Sequence, residues 1–262
     1  MTVDDHGLDL DALLRAALDA AVAGAAIVLG GFGKARNVRE KGPGDLLTDT
    51  DPASELAIRE SLAHAAPDLA FFGEETGGER ADIGWFVDPL DGTTNFVHGL
   101  PAVGVSIGLV AHGEPVVAVV HAPMLGTVYS ARAGGGAFCN GEPMRVSDRA
   151  PAQSVVATGF PFRAKADRLD GYLPAMERAL RAFEDLRRVG AASLDLSWTA
   201  AGVFDGYFEQ ALGTWDVAAG ALLVREAGGV VTDWSGDQRA WLDSGDIVAG
   251  SPEMHQAILG LL

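Results

Sequence analysis

Two aspartates lie close together in the run DPLDGTTNF, residues 88–96, directly after the apolar triplet 85–87. This apolar triplet predicts a strand. Pro89 cannot donate to a sheet ladder, so we expect this strand to end at Asp88. The strand would deliver Asp88 and Asp91 into a tight turn.

The same turn combines ligands for a cation with donors for an anion. The Leu90 carbonyl and the neighbouring carboxylates suit a hard cation such as Mg²⁺. The N–H groups of Gly92 and Thr93 lie at a predicted helix start, where phosphate binds well. Asp91-Gly92 alone would be an ordinary turn dipeptide, but the full run predicts phosphate chemistry.

The run resembles the signature of the inositol monophosphatase family of magnesium-dependent phosphatases. Further stretches resemble the same family in the same order, namely residues 45–51, 72–75, 206–209 and 215–220, the last continuing into 226–229. The resemblance spans nearly the whole chain. It implies an α+β fold, the layered αβαβα sandwich, and one catalytic domain over residues 1–262 with two interleaved lobes dividing at about residue 150.

By resemblance, the site holds two or three magnesium ions. Glu74, Asp88 and the Leu90 carbonyl would bind the first ion, and Asp88, Asp91 and Asp216 the second, so that Asp88 bridges them. A third ion would use Glu74 with waters. Taken alone, Glu74 is a loop carboxylate, and Asp216 simply favours the positive end of a helix dipole.

The resemblance also assigns catalytic residues. Thr93 with Asp51 would activate the attacking water, Glu74 would act through the first ion, and Gly92 with Thr93 would bind phosphate. Asp51 has a structural alternative as the N-cap of a helix that starts at Pro52. No Ser–His–Asp or Cys–His arrangement is recognisable, so we expect direct attack by water.

Substrate contacts are implied at Glu209, Ala192, Ser193, Asp91 and Asp216. A carboxylate at position 209 suits the hydroxyls of inositol 1-phosphate, which we take as the leading substrate. It would equally suit the amine of histidinol phosphate, and fructose 1,6-bisphosphate and adenosine 3′,5′-bisphosphate are further alternatives. A regulatory protein-binding role in RNA metabolism is the non-enzymatic alternative.

Composition narrows the function further. The formal net charge of −17 and pI of about 4.6 argue against direct nucleic-acid binding, and they require metal beside a phosphate substrate. The single Cys139 excludes an intrachain disulfide and is expected to be buried. The acidic N-terminus and the lack of an uninterrupted apolar stretch of about 18–20 residues predict a cytoplasmic protein without a membrane span. The family resemblance also implies that the protein is a homodimer and that lithium inhibits it.

Periodicity predicts the remaining elements. Helices are expected from Leu10 to Gly31 and over residues 52–65, 170–183, 191–201, 215–226 and 252–261. Strands are expected within residues 103–109, 116–120, 128–129, 155–158, 203–208 and 247–249, with a hairpin or a bulge at the glycines 134–136.

Overall fold

The computed structural model describes residues 7–42 and 45–262, so part of the acidic N-terminal segment lies outside the described residues. The helices of the described ranges are α1 (Leu10–Gly31), α2 (Thr50–Ala65), α3 (Thr93–His98), α4 (Lys165–Ala182), α5 (Ala192–Ala200), α6 (Thr214–Glu226), α7 (Trp241–Ser244) and α8 (Pro252–Leu259). The strands are β1 (Arg39–Gly42), β2 (Asp45–Leu47), β3 (Ala70–Gly73), β4 (Gly77–Gly78), β5 (Ile83–Asp91), β6 (Gly104–Ala111), β7 (Glu114–Ala122), β8 (Thr127–Arg132), β9 (Gly136–Cys139), β10 (Glu142–Pro143), β11 (Val155–Thr158), β12 (Asp185–Arg187), β13 (Gly206–Glu209), β14 (Val230–Thr232) and β15 (Ile247–Gly250).

Two large sheets alternate with helices. The first has the order β10-β9-β8-β7-β6-β5-β3-β4, and the second has the order β12-β11-β13-β15-β14. Helices α1 and α2 pack on the outer face of the first sheet, α5 and α6 lie between the sheets, and α8 packs on the second sheet. The layers confirm the predicted α+β, αβαβα sandwich.

The alternation of side chains along the strands explains these layers. Ile107 of β6 and Val119 of β7 belong to the core under α1 and α2, whereas Ala118 and Val120 of β7 face the core around α5 and α6. Successive residues of a strand point to opposite faces, so both faces of this sheet are apolar and both are covered. A third core, which includes Tyr172 of α4, fills the space beside the second sheet.

The strand that carries the aspartates continues past its predicted end at Asp88. Asp88 pairs with Ser106 and Asp91 with Gly104, so β5 carries one extra residue there and forms a bulge. The Leu90 N–H donates to Asp88 Oδ1 at 2.9 Å, and the Pro89 carbonyl accepts the Ser54 hydroxyl at 2.9 Å. The bulge tolerates Pro89 because the N–H that proline lacks is not needed there for the hydrogen bonds between β5 and β6.

The second helix begins earlier than predicted. It starts at Thr50 with Asp49 at its N-cap, so Asp51 lies inside the first turn and is not the N-cap. The Asp51 carboxylate accepts the N–H and the hydroxyl of Thr48 at 2.9 and 2.5 Å. These bonds hold Asp51 Oδ2 against the segment before α2. The other oxygen, Oδ1, faces the site described below.

Three smaller predictions are corrected. Helix α4 begins at Lys165, before its predicted start at residue 170. Its first turn is polar and exposed, so no apolar periodicity marks that turn in the sequence. Strand β13 begins at Gly206 because the N–H groups of Val203 and Phe204 both donate to the Trp198 carbonyl and close the end of α5. Cys139 is half-buried rather than buried. The hairpin at the glycines 134–136 is confirmed between β8 and β9.

Helix α1 is long and apolar in composition, but Asp11, Arg15 and Asp19 interrupt it, so it contains no uninterrupted apolar stretch of about 18–20 residues. In the described ranges it is the one helix long and apolar enough, by length and composition, to cross a bilayer. Its face with Ala17, Ala21, Ala25 and Val28 is buried in the core shared with α2 and β7. The apolar character of that face therefore serves packing in this fold.

Candidate active site

A cavity of about 520 Å³ opens where β5, α3, α6 and the loop after β3 meet. Nine of the eleven residues singled out from the sequence line it: Glu74, Asp88, Leu90, Asp91, Gly92, Thr93, Ala192, Glu209 and Asp216. The other two, Asp51 and Ser193, are buried beside the lining residues and hydrogen-bond to them. Residues between Asp51 and Asp216 in the chain therefore converge on one site.

Three carboxylates form the centre of the cavity. Glu74, Asp88 and Asp216 each offer an oxygen, and these oxygens all lie within 4.8 Å of one another. Strands β3 and β5 run parallel and the Glu74 N–H donates to the Val87 carbonyl at 3.0 Å, which sets Glu74 beside Asp88. Asp216 reaches the group from the first turn of α6.

Burial and mutual repulsion make these carboxylates costly to ionise. Burial raises the pKa of Asp88 well above its ordinary value, and the charges of Glu74, Asp91 and Asp216 raise it further. The pKa of Glu74 is raised by burial and by Asp216. Burial and Asp216 also raise the pKa of Asp91 to about 7, against the hydrogen bonds it accepts from Ser193. A set of buried, crowded oxygen donors fits a hard divalent cation such as Mg²⁺, which relieves the repulsion.

Two basic residues lie directly on the carboxylate cluster. Arg163 Nη1 is 2.7 Å from Asp216 Oδ2 and its Nη2 is 3.4 Å from Glu74 Oε1. Lys41 Nζ lies 3.0 Å from Glu74 Oε1 and 2.9 Å from Glu75 Oε1. Burial lowers the pKa of Lys41, but the two glutamates outweigh that effect and raise it. Sequence reasoning gave neither residue a role, because a lone cation in a loop or edge strand carries no spacing signal.

Thr93 and Asp51 meet beside the carboxylate cluster. Thr93 Oγ1 is 3.0 Å from Asp51 Oδ1 and 3.1 Å from the Leu90 carbonyl, so the hydroxyl donates toward both acceptors. Burial raises the pKa of Asp51, while hydrogen bonds from Thr48 and Thr93 oppose the rise. The arrangement places a hydroxyl between a carboxylate and the cavity.

Gly92 shapes the cavity at the start of α3. Its φ of 88° lies in the left-handed region, and a Cβ there would approach the Ala102 carbonyl to 3.0 Å. Glycine therefore lets the backbone turn from β5 into α3. The N–H groups at the start of α3 are free of side-chain caps.

Two further carboxylates that line the cavity, Asp91 and Glu209, are held by buried partners. Ser193 donates to Asp91 Oδ2 through its N–H at 2.7 Å and its hydroxyl at 2.6 Å. Ser193 therefore orients Asp91, while the adjacent Ala192 lines the cavity. The Tyr207 hydroxyl donates to Glu209 Oε2 at 2.6 Å, and burial raises the pKa of Glu209 to about 8.

A buried carboxylate that sequence reasoning missed supports the loop after β3. Glu55 of α2 accepts the N–H groups of Glu75 and Thr76 at 2.8 and 3.1 Å. A Cβ at Gly73 would lie 2.3 Å from the Glu55 carboxylate, so glycine makes room for it. Glu55 thus positions the loop that carries Glu74, although in sequence it is an ordinary helical glutamate.

Comparison with known proteins agrees with this geometry. A sequence model of the inositol monophosphatase family matches residues 9–262. The chain is 39% identical over 254 residues to inositol-1-monophosphatase of Mesorhizobium japonicum, with 95% of each chain covered. It is 44% identical over 230 residues to Nus factor SuhB of Pseudomonas aeruginosa, covering 85% of this chain and 84% of the relative.

Comparison with solved structures gives relatives of the same kind. The crystal structure of extragenic suppressor protein SuhB from Bartonella henselae superposes with a TM-score of 0.90 at 36% sequence identity, covering 95% of this chain and 98% of that one. The match along the sequence, the superposition and the convergent carboxylates lead to one conclusion. The chain belongs to the inositol monophosphatase family.

Proposed function

We propose that this protein is a magnesium-dependent phosphatase that hydrolyses the phosphate monoester of a small polyol, with inositol 1-phosphate as its leading substrate. The observation that carries the proposal is the group of carboxylate oxygens of Glu74, Asp88 and Asp216 within 4.8 Å of one another, beside the Thr93–Asp51 pair. A metal-ligand set next to an activated hydroxyl is what the hydrolysis of a phosphate ester by water requires.

The chain would hold two magnesium ions, with a third weaker position at Glu74. Glu74, Asp88 and the Leu90 carbonyl would hold one ion, and Asp88, Asp91 and Asp216 the other. When bound, such ions supply Lewis acidity and neutralise the charge that develops on the transferring phosphoryl group. Arg163 and Lys41 would have to give up their ion pairs with these carboxylates.

Water activation falls to Thr93 and Asp51. Thr93 Oγ1 would accept a hydrogen bond from the attacking water while its own proton lies toward Asp51 Oδ1, 3.0 Å away. The N–H groups of Gly92 and Thr93 would donate to phosphate oxygens at the start of α3. The reaction would proceed by direct attack of water on the phosphate, without a covalent phosphoenzyme.

The polyol would lie against Glu209, Asp91 and Ala192. Burial raises the pKa of Glu209 to about 8, so a share of its carboxyl groups is protonated at neutral pH and both donates and accepts hydrogen bonds. That property suits a ring of hydroxyls better than a cationic amine. It favours inositol 1-phosphate over histidinol phosphate, and the relative from Mesorhizobium japonicum carries the matching name.

The second candidate is a regulatory protein-binding role in RNA metabolism. It is favoured by the 44% identity to a protein named Nus factor SuhB. The two functions are compatible within one fold, because the cavity uses only part of the surface. A homodimer in the cytoplasm, with the chain acting as one catalytic unit, stays a prediction.

The test compares initial rates for inositol 1-phosphate, histidinol phosphate, fructose 1,6-bisphosphate and adenosine 3′,5′-bisphosphate at one fixed Mg²⁺ concentration. We expect the highest kcat/KM for inositol 1-phosphate. Asp88→Asn, purified in parallel, is the control for contaminating phosphatase and is expected to be inactive. If the folded wild-type protein turned over none of the four esters, the catalytic proposal would be overturned.

A further inference from the structure

Helix α5 carries a buried carboxyl group that the proposed mechanism does not use. Asp195 is 1% exposed, and neither of its side-chain oxygens has a hydrogen-bond partner within residues 7–42 and 45–262. In this part of the chain it is the one buried carboxyl group with both oxygens unpartnered. Nearly all buried polar groups of proteins are hydrogen-bonded, so this exception indicates an enclosed water or a role in binding.

Asp195 lies one helical turn beneath the cavity. Ala192 lines the cavity, and residues three apart on a helix are neighbours on the same face. A helical side chain also leans over the turn that precedes it, so the Asp195 carboxyl group is directed toward the first turn of α5. The group is therefore close to the cavity wall, although its oxygens are closed off from solvent.

The same helix turns Asp195 toward the second sheet. Helix α5 lies between the two sheets, and Ser193 and Leu194 mark its side toward the first. A Cβ at Gly104 of β6 would lie 2.7 Å from Ser193 Oγ and 3.5 Å from Leu194 Cδ2. Each residue advances a helix by about 100°, so Asp195 lies on the opposite side, where α5 packs against β13.

Strand β13 presents Tyr207 and Glu209 to α5. Residues two apart on a strand share a face, and Tyr207 belongs to the core that contains Leu194 and Leu196 of α5. The Tyr207 hydroxyl donates to Glu209 Oε2 at 2.6 Å. No printed side-chain bond reaches the other oxygen, Oε1, from the described residues. Asp195 therefore faces a carboxyl group that has one oxygen free for a further donor.

Burial also decides the charge of Asp195. It raises the pKa of this carboxyl group well above the ordinary value, and the charges of Glu209 and Asp91 raise it further, whereas Arg188 opposes the rise. The group therefore carries a proton at neutral pH, so it offers one O–H donor besides its acceptor oxygens. A protonated carboxyl group is a suitable partner for an enclosed water molecule.

We propose that Asp195 is a positioning residue for the polyol part of the substrate. Its O–H would donate to one water molecule between α5 and β13, and this water would donate to Glu209 Oε1. Glu209 would then be held on both oxygens and would meet the polyol in one orientation. The inference rests on the proposed function, and it names a residue that sets the affinity for the substrate without touching it.

The test measures KM and kcat for inositol 1-phosphate at one saturating Mg²⁺ concentration. Asp195→Leu keeps the approximate size of the side chain but cannot bind water. It should raise KM about tenfold, the loss of one hydrogen-bonded contact, and leave kcat within about twofold. Asp195→Ala should do the same, whereas Asp195→Asn, whose amide donates and accepts, should keep a KM near that of the wild type. An unchanged KM in folded Asp195→Leu or Asp195→Ala would overturn the proposal.

Two measurements separate positioning from structural damage. With 4-nitrophenyl phosphate, which has no polyol, Asp195→Leu should keep the wild-type kcat/KM. Its thermal midpoint should equal or exceed that of the wild type, because an apolar side chain replaces an unpartnered polar one. Equal losses of kcat/KM with both esters would show a structural defect and overturn the positioning role.

A double-mutant cycle tests whether Asp195 acts through Glu209. In a Glu209→Ala background, Asp195→Leu should change KM by less than about twofold, since the group that it orients is gone. The full tenfold rise in that background would overturn the role. Thr199→Val is the matched control. Thr199 lies on the same face of α5 one turn farther from the cavity, and its hydroxyl donates to the Asp195 main-chain carbonyl at 2.8 Å. This variant should keep the wild-type KM.

A binding measurement distinguishes this inference from the proposed function. Calorimetry with inositol 1-phosphate and Mg²⁺ in the slow Asp51→Asn background should show about tenfold weaker binding when Asp195→Leu is added. If the wild type hydrolysed no ester but binding still depended on Asp195, the phosphatase proposal would fail and the positioning role would stand. If hydrolysis were normal and both KM and binding were independent of Asp195, the opposite conclusion would follow.

Discussion

The Thr93 hydroxyl lies 3.0 Å from the Asp51 carboxylate, although 42 residues separate the two in the chain. Helix α2 supplies Asp51 in its first turn, and the turn after β5 supplies Thr93 at the start of α3. The packing of α2 against β5 brings them together, with Ser54 bonded to the Pro89 carbonyl between them. The water activation that we propose would thus depend on the docking of one helix.

Removal of either member of this pair is expected to stop most turnover. Thr93→Ala and Asp51→Asn should each lower kcat by about 10²-fold or more, the range of a positioned proton acceptor. His98 is the rival base, since histidine ordinarily titrates near pH 6.5, but it is exposed at the end of α3. His98→Gln should keep most activity in pH–rate profiles. Collapse of His98→Gln with a nearly normal Asp51→Asn would contradict the mechanism.

Asp91→Asn tests the second metal position. Asp91 would hold an ion and contact substrate, so we expect turnover to fall by at least about 10²-fold with the fold intact. Ser193→Ala, which removes only the hydroxyl that orients Asp91, should have a smaller effect. Asp49→Asn is the control, because Asp49 is exposed and pairs with Asn37 and Arg39 away from the cavity. Near-wild-type turnover by purified Asp91→Asn would refute the assignment.

The metal-free protein should become less stable as the pH rises. In the folded state the pKa of Asp91 is about 7, above its unfolded value of about 3.9. A carboxyl whose pKa is raised in the folded state contributes its full stabilisation below the unfolded-state pKa. That contribution is lost as the pH rises through the folded-state value of about 7. The pKa values of Asp88 and Glu74 are raised in the same direction.

Thermal denaturation with EDTA should therefore give a lower midpoint at pH 8 than at pH 5. Mg²⁺ should restore the midpoint at pH 8, and Asp91→Asn should flatten the pH dependence. A metal-free midpoint that rises over this range would be the contrary result.

Arg163 should compete with metal for the carboxylates. Its guanidinium lies 2.7 Å from Asp216 Oδ2, so an ion that binds there must break that pair. Arg163→Gln is expected to tighten Mg²⁺ binding several-fold in calorimetry and to lower the metal-free thermal midpoint, since the cluster loses its counter-charge. Arg168→Gln is a control outside the cavity, where Arg168 pairs with Asp246. Unchanged or weaker Mg²⁺ binding by Arg163→Gln would show that the pair does not oppose the metal.

Lithium should inhibit the enzyme at concentrations of millimolar order, in an uncompetitive or mixed manner toward the substrate, as the family resemblance implies. Potassium at the same concentration is the ionic control. Initial rates over a matrix of substrate and lithium concentrations give the inhibition type. Full activity in lithium would show that this family property does not extend to this chain.

The sequence by itself determined the local chemistry of the site. The apolar triplet 85–87 and the run 88–96 predicted a strand, a tight turn and a short helix in this order, and all three are present. Local hydrogen bonding and side-chain period decide such elements. The layered sandwich followed from the family resemblance of several motifs in order, and the structure confirmed it.

Only the tertiary structure decided which groups meet around that turn. Strand β5 continues through Pro89 because a bulge there needs no N–H from the proline. The bulge depends on the register between β5 and β6. Arg163 and Lys41 contact Glu74 from segments that are distant in sequence. Glu55 likewise accepts a hydrogen bond from the distant loop that carries Glu74. Long-range polar contacts have no periodicity along the chain, so their geometry emerges only when the layers pack.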